Sequence, residues 1–136
     1  MSWETLKNAI RSRFEDQVGE PQGATVLYDN EFEQTPSTGV WMVVTIQTGE
    51  TQQADLGPVP RYRTAGQIVV EIYQEAAEGD YTTTALADEV ARAFRSLTAD
   101  GVTYRSPSLT QLGRSGKWWQ QNVSCPFYYD EIPTEG

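Results

Sequence analysis

Apolar residues recur along this chain with two periods, and each period names an element. Trp3, Leu6, Ile10 and Phe14 stand three, four and four residues apart, which places them on one stripe of a helix that starts after Ser2 as its N-cap. The helix is expected to end near Val18 and Gly19, because Pro21 and Gly23 break the next residues. Ala24 to Tyr28 reads as a short strand, and the acidic, turn-rich stretch Asp29 to Gly39 as a loop. From Val40 to Thr48 the period changes to two. Val40, Met42, Val44 and Ile46 form an apolar side, and Trp41, Val43, Thr45 and Gln47 a side that is only partly apolar, so both faces of this strand are expected to meet something.

Gln47-Thr48-Gly49-Glu50-Thr51 reads as a turn, with polar Thr51 to Asp55 as the return arm of a hairpin before Gly57-Pro58-Val59-Pro60. Gly66 to Gln74 resumes the alternation through Ile68, Val70 and Ile72. Ala76 to Gly79 breaks it, and Thr82, Thr83 or Thr84 can cap a second helix carrying Leu86, Val90, Ala93, Phe94 and Leu97, which runs to about Thr98. Asp100-Gly101 is a turn, Val102 to Arg105 a strand, Leu109 to Gly113 a further strand ending at Arg114-Ser115-Gly116, and Trp118 to Phe127 the last strand. The expected fold is α+β, a mainly antiparallel sheet with two helices on one face, in the order α-β-β-β-β-α-β-β. One domain over residues 1–136 accounts for the length, with no internal repeat and no linker.

Composition narrows the chemistry. The chain has no His, so a Ser-His-Asp or Cys-His nucleophile and a His-ligated zinc site within one chain are excluded. Carboxylate pairs such as Glu71 and Glu75 or Asp88 and Glu89 read as exposed faces of a strand and a helix rather than as a glycosidase pair. Cys125, in the apolar stretch Val123 to Phe127, reads as a buried inert thiol. The net charge of −9 argues against a partner that presents phosphates, whether nucleic acid or anionic membrane. No apolar run approaches a membrane span, and Met1-Ser2-Trp3-Glu4 has neither the basic nor the apolar region of a signal peptide, so a cytosolic site of synthesis is expected.

The charges are unevenly placed. Phe14 to Pro60 contains no Lys or Arg, yet carries Glu15, Asp16, Glu20, Asp29, Glu31, Glu33, Glu50 and Asp55. A solvated acidic surface is the simplest account, and Asp29-Asn30-Glu31-Phe32-Glu33 lacks the glycine and terminal Glu of a calcium-binding loop. Arg61-Tyr62-Arg63, just past Pro58-Val59-Pro60, joins apolar area to directional hydrogen bonding and suits a protein interface. Trp118 and Trp119 are adjacent on a strand and point to opposite faces, so one is expected in the core and the other toward solvent or a partner.

The segments Trp3 to Phe14, Val40-Trp41-Met42-Val43-Val44-Thr45-Ile46, Arg61-Tyr62-Arg63-Thr64-Ala65-Gly66, Ile68-Val69-Val70-Glu71-Ile72, Ala85-Leu86-Ala87-Asp88, Gly116-Lys117-Trp118-Trp119-Gln120-Gln121-Asn122-Val123 and Pro126-Phe127-Tyr128-Tyr129 follow one another in an order and spacing that resembles the tail terminator-like proteins of long-tailed bacteriophages, similar in fold to the lambda tail terminator. The resemblance implies a structural virion protein of the tail, assembled in the host cytoplasm, with no enzymatic activity, no cofactor and no metal. It implies a homo-oligomer, a hexameric ring that caps the tail tube, ends tube polymerisation and offers a surface to the head-completion or connector protein, while DNA passes through the lumen without specific binding. Gln47, Glu50, Gln52, Tyr62, Arg61, Arg63 and Trp119 are the expected contacts to the tube or to neighbouring subunits. The alternatives are a head-tail connector or tail-completion component, and a cytosolic domain that binds a small ligand.

Overall fold

A computed structural model describes residues 3–19, 25–28, 40–53, 62–75, 81–95, 97–99, 101–116 and 118–131. Helix α1 spans Trp3–Phe14 and continues as a π-helical turn over Glu15–Gly19. Strands β1 (Thr25–Tyr28), β2 (Val40–Gln53) and β3 (Tyr62–Glu75) follow, then helix α2 (Tyr81–Phe94) and strands β4 (Thr98–Ala99), β5 (Val102–Tyr104), β6 (Ser108–Ser115) and β7 (Trp118–Glu131). They form one seven-stranded sheet in the order β1-β2-β3-β7-β5-β4, with β6 also paired to β7. The fold is α+β and mainly antiparallel, as the alternation predicts; β1 with β2 is the parallel pair.

The helical stripe and the strand alternation converge on one face of the sheet. Leu6, Ile10, Phe14 and Val18 are fully buried, as are Met42, Ile68 and Ile72 from the strands. Each such side chain contributes roughly 1.5–3 kcal/mol by leaving water. An aromatic seam ties the helices to both sides of the sheet: Tyr28 meets Phe14 edge-on at 6.3 Å, Phe14 stacks on Phe94 at 6.4 Å, and Phe94 meets Tyr104 at 5.1 Å. Arg13 fastens the two helices by donating from Nε to the carbonyl of Ala93 at 2.7 Å. Cys125 is buried in this layer, where removal from water pushes its thiol up to about 12, so the group is a neutral packing element.

Several boundaries differ from the sequence reading. Trp3 is 64 % exposed, so the buried stripe of α1 starts at Leu6. Gln47 to Thr51 is no turn: β2 stays paired to β3 through it, and a bulge sets Gly49 and Glu50 against the one residue Ala65, between the pairs Thr48↔Gly66 and Thr51↔Thr64. Gly49 suits the bulge, since a Cβ there would stand 2.9 Å from the Ala65 carbonyl oxygen. The return arm of the hairpin is therefore β3 itself, and Thr51–Gln53 belongs to β2, which leaves three strands between the helices. Helix α2 already includes Thr82–Thr84 and stops at Phe94, because Thr98–Ala99 pairs with Val102–Thr103 as a small hairpin closed by the Tyr104 N–H on the Leu97 carbonyl at 2.7 Å. Four strands follow α2, where the sequence reading names three at most; the short β4 is the added one. The loop read over Asp29 to Gly39 lies outside the described residues.

Candidate functional site

Both helices cover one face of the sheet, and the opposite face is lined by the alternate residues of β2, β3 and β7. Its rows follow from the strand register. At one end Trp41 lies opposite Tyr73, and Tyr73 opposite Gln120. The Trp41 and Tyr73 rings stack at 4.3 Å and 14°, and Trp118 meets Trp41 edge-on at 5.8 Å, a geometry that favours aromatic pairs. The next row is Val43, Glu71 and Asn122. Glu71 Oε1 accepts from the Tyr73 hydroxyl and from Gln120 Nε2, both at 3.3 Å, and Gln120 Nε2 also donates to Asn122 Oδ1 at 3.0 Å. Burial, then the nearby Glu71 charge, push the Tyr73 hydroxyl up to about 12, so it remains a hydrogen-bond donor. This end is a connected polar and aromatic network across three paired strands.

Toward the other end Gln67 donates from Nε2 to Gln47 Oε1 at 2.7 Å. Beyond the bulge, Gln52, Arg63 and Asp130 share a row of this face, while the neighbouring register row, Gln53, Tyr62 and Glu131, alternates to the opposite side of the sheet. Arg63 donates from Nε and Nη2 to the two carboxylate oxygens of Asp130 at 2.7 and 3.0 Å, the planar two-point pairing that guanidinium favours. The hydrogen bond to Asp130 raises the Arg63 pKa further. Its guanidinium also lies 4.2 Å from the centre of the Tyr128 ring, which Arg105 approaches at 5.2 Å. Pro126 interrupts β7 without loss to β3. Its carbonyl accepts from the Arg105 N–H at 2.8 Å, so the donor it lacks faces the seam between β5 and β6.

Of the residues singled out from the sequence, Gln47, Gln52, Tyr62 and Arg63 gather on the β2–β3 end of the sheet. Glu50 stands in the bulge, and Arg61 lies outside the described residues. Arg63 makes its ion pair within the chain. Trp119 is apart from this group, eleven residues along β7 from Asp130, or ~37 Å at 3.4 Å per residue. Trp118 and Trp119 point to opposite faces, but both are half-buried rather than one core and one exposed, because Trp118 packs on Trp41. The sequence reading missed Asp130 and Tyr128, since it ended the last strand at Phe127. Continued alternation through Tyr128, Tyr129 and Asp130 is the signal that extends it.

No group of three or more metal-ligating side chains comes together among the described residues. The comparison with curated proteins returned no match. One solved protein structure superposes over 99 % of both chains with a TM-score of 0.72 at 19 % sequence identity, a likeness that speaks to the fold. The family model described as phage tail terminator protein matches residues 5–127, which takes in most of α1, the whole β2–β3 pair, α2 and most of β7. The chain belongs to the phage tail terminator family and is a structural component of a phage tail.

Proposed function

We propose that copies of this chain close into a six-membered ring on the end of the tail tube, stop addition of tube subunits, and present the opposite side of the ring to the head connector. The reading rests on family membership together with one structural observation: at the β2–β3–β7 end Arg63 is braced by Asp130 in the row that also holds Gln52, with Tyr62 next to it in sequence on the other side of the sheet. A side chain fixed by two hydrogen bonds and a ring contact is already ordered before a partner arrives, so docking loses less conformational entropy. This platform is the tube-facing surface in our reading, with Arg61 beside it in sequence. The acidic excess of the chain, −9 overall, suits a ring whose lumen must let DNA pass without binding it.

The aromatic residues also bear on the ligand-binding alternative. On the covered face they stack on one another from Tyr28 to Tyr104, where a small-molecule site needs rings arranged around an opening. The test is tube growth in vitro. Tail tubes polymerised from purified tube protein should stop lengthening when the chain is added, and the variant Arg61→Glu, Arg63→Glu should fail to stop them. Normal arrest by that variant would remove the platform from the tube contact.

A further inference from the structure

The two sides of the sheet differ in charge in a way that the fold makes directional. One side ends at β1. There the exposed Glu15 and Asp16 follow α1, and Glu15 Oε2 accepts from the Tyr28 hydroxyl of β1 at 2.8 Å. From Phe14 to Pro60 no Lys or Arg offsets this acidity. Two of the three basic residues of α1 are turned onto the protein itself: Arg11 lies 5.8 Å from the Tyr28 ring centre, and Arg13 binds the Ala93 carbonyl, while Lys7 stands one turn before Arg11 on the helix.

The other side ends at β4 and β6. Between Ala91 and Phe127 the chain carries Arg92, Arg95, Arg105, Arg114 and Lys117 against the single acid Asp100. Arg95 and Arg105 are exposed, while Arg92 pairs with Glu89. Strand β6 pairs with β7 alone among the described residues, and Ser108–Leu112 is exposed throughout. Leu109 and Leu112 are 46 % and 53 % exposed. Leu109 also borders a groove of about 170 Å³ between α2 and β6, with Ala87, Ala91 and Pro107, which Arg95 and the exposed Asp88 line as well. The third exposed large apolar side chain among the described residues is Trp3 on α1, the helix whose Phe14 and Arg11 pack on β1. Apolar residues ringed by charge are the ordinary anatomy of a protein interface, and Trp is a favoured anchor.

We propose that copies of this chain join head to tail through opposite sides of the sheet, the basic β6 side of one copy, with its exposed Leu109 and Leu112, docking on the acidic β1 side of the next. The occupant is a second copy because one chain carries both complementary surfaces on opposite sides. Such a contact uses two different patches and therefore propagates until it closes. The inference rests on the ring reading and supplies its subunit contact.

The experiment uses two full-length variants, Arg95→Glu with Arg105→Glu on the basic side, and Glu15→Arg with Asp16→Arg on the acidic side. Sedimentation velocity at low salt is expected to show wild-type protein growing with concentration beyond 30 kDa, twice 15.2 kDa. Each variant alone is expected to associate at least tenfold more weakly. Mixed together they regain both contacts, the two unaltered sides pairing with each other and the two reversed sides with each other, so association beyond 30 kDa, twice 15.2 kDa, should return. That recovery also shows that both variants are folded, and a mixture that associates no better than either variant alone overturns the contact. Wild type that remains at 15.2 kDa at low salt up to millimolar concentration overturns the inference, because opposite charges attract most strongly there. Wild type near 91 kDa, six times 15.2 kDa, with variants that match it overturns this contact and leaves the ring. Wild type that stops at a dimer contradicts both.

Discussion

The two faces of the sheet are built from neighbouring residues of the same strands, yet they do different work. On the covered face Met42, Val44, Ile68, Val70 and Ile72 are at most 1 % exposed under α1 and α2. On the other, Val43, Val69, Glu71, Tyr73 and Asn122 are half-buried and Gln47 and Gln67 exposed, with neither described helix above them. The first face gains its stability by excluding water. The second is held by side-chain hydrogen bonds and ring contacts along the sheet, which fix its side chains without closing it off. One strand thus serves folding through its even residues and presents a surface through its odd ones.

Substitutions separate the two roles. The largest loss is expected for Phe94→Ala, which breaks the seam between Phe14 and Tyr104 and should cost about 3–5 kcal/mol in urea unfolding. A much smaller loss would mean that the covered face does not depend on this packing. Gly66→Ala comes next. Its Cβ would stand 2.2 Å from the Gln47 carbonyl oxygen and 2.8 Å from Phe127 Cζ, so a loss of roughly 1–3 kcal/mol is expected, with faster amide exchange along β2 and β3. Unchanged exchange would show that the strands separate there without strain.

Alkali probes the covered face through Cys125. Burial raises its thiol from 9.0 to about 12, so the folded state favours the protonated form. That contribution is complete below 9.0 and is lost as pH rises toward about 12, about 1 kcal/mol by the first unit above 9.0. Tyr73, raised from 10.0 to about 12, acts in the same direction at higher pH. Urea midpoints taken across this range should fall for wild type and fall less steeply for Cys125→Ala. Equal slopes would remove the thiol from the account. The smallest effect is expected on the uncovered face. Val43→Ser should change stability by less than about 0.5 kcal/mol, and a loss as large as that of Phe94→Ala would erase the distinction between the faces.

The covered face was the legible one. Alternation in Val40 to Ile46 and Ile68 to Ile72, and the helical spacing of Leu6, Ile10 and Phe14, each report burial on one side, so period alone recovers them. The bulge at Gly49 was not legible, because Gly-Glu-Thr in a polar stretch has the composition of a turn and only pairing with β3 keeps it extended. The short β4 likewise depends on its partner β5, not on its own two residues. Arg63 was recognisable as an interface residue type, but its partner Asp130 lies sixty-seven positions away, and only the β3–β7 register brings them together.

The central claim is a ring seated on the tube end, and end-on electron microscopy of tail tubes grown with the purified chain tests it most directly. The account predicts one layer of extra density at the tube end, with six-fold symmetry and tubes that no longer lengthen. Bare ends, or protein bound along the tube wall while growth continues, would contradict it.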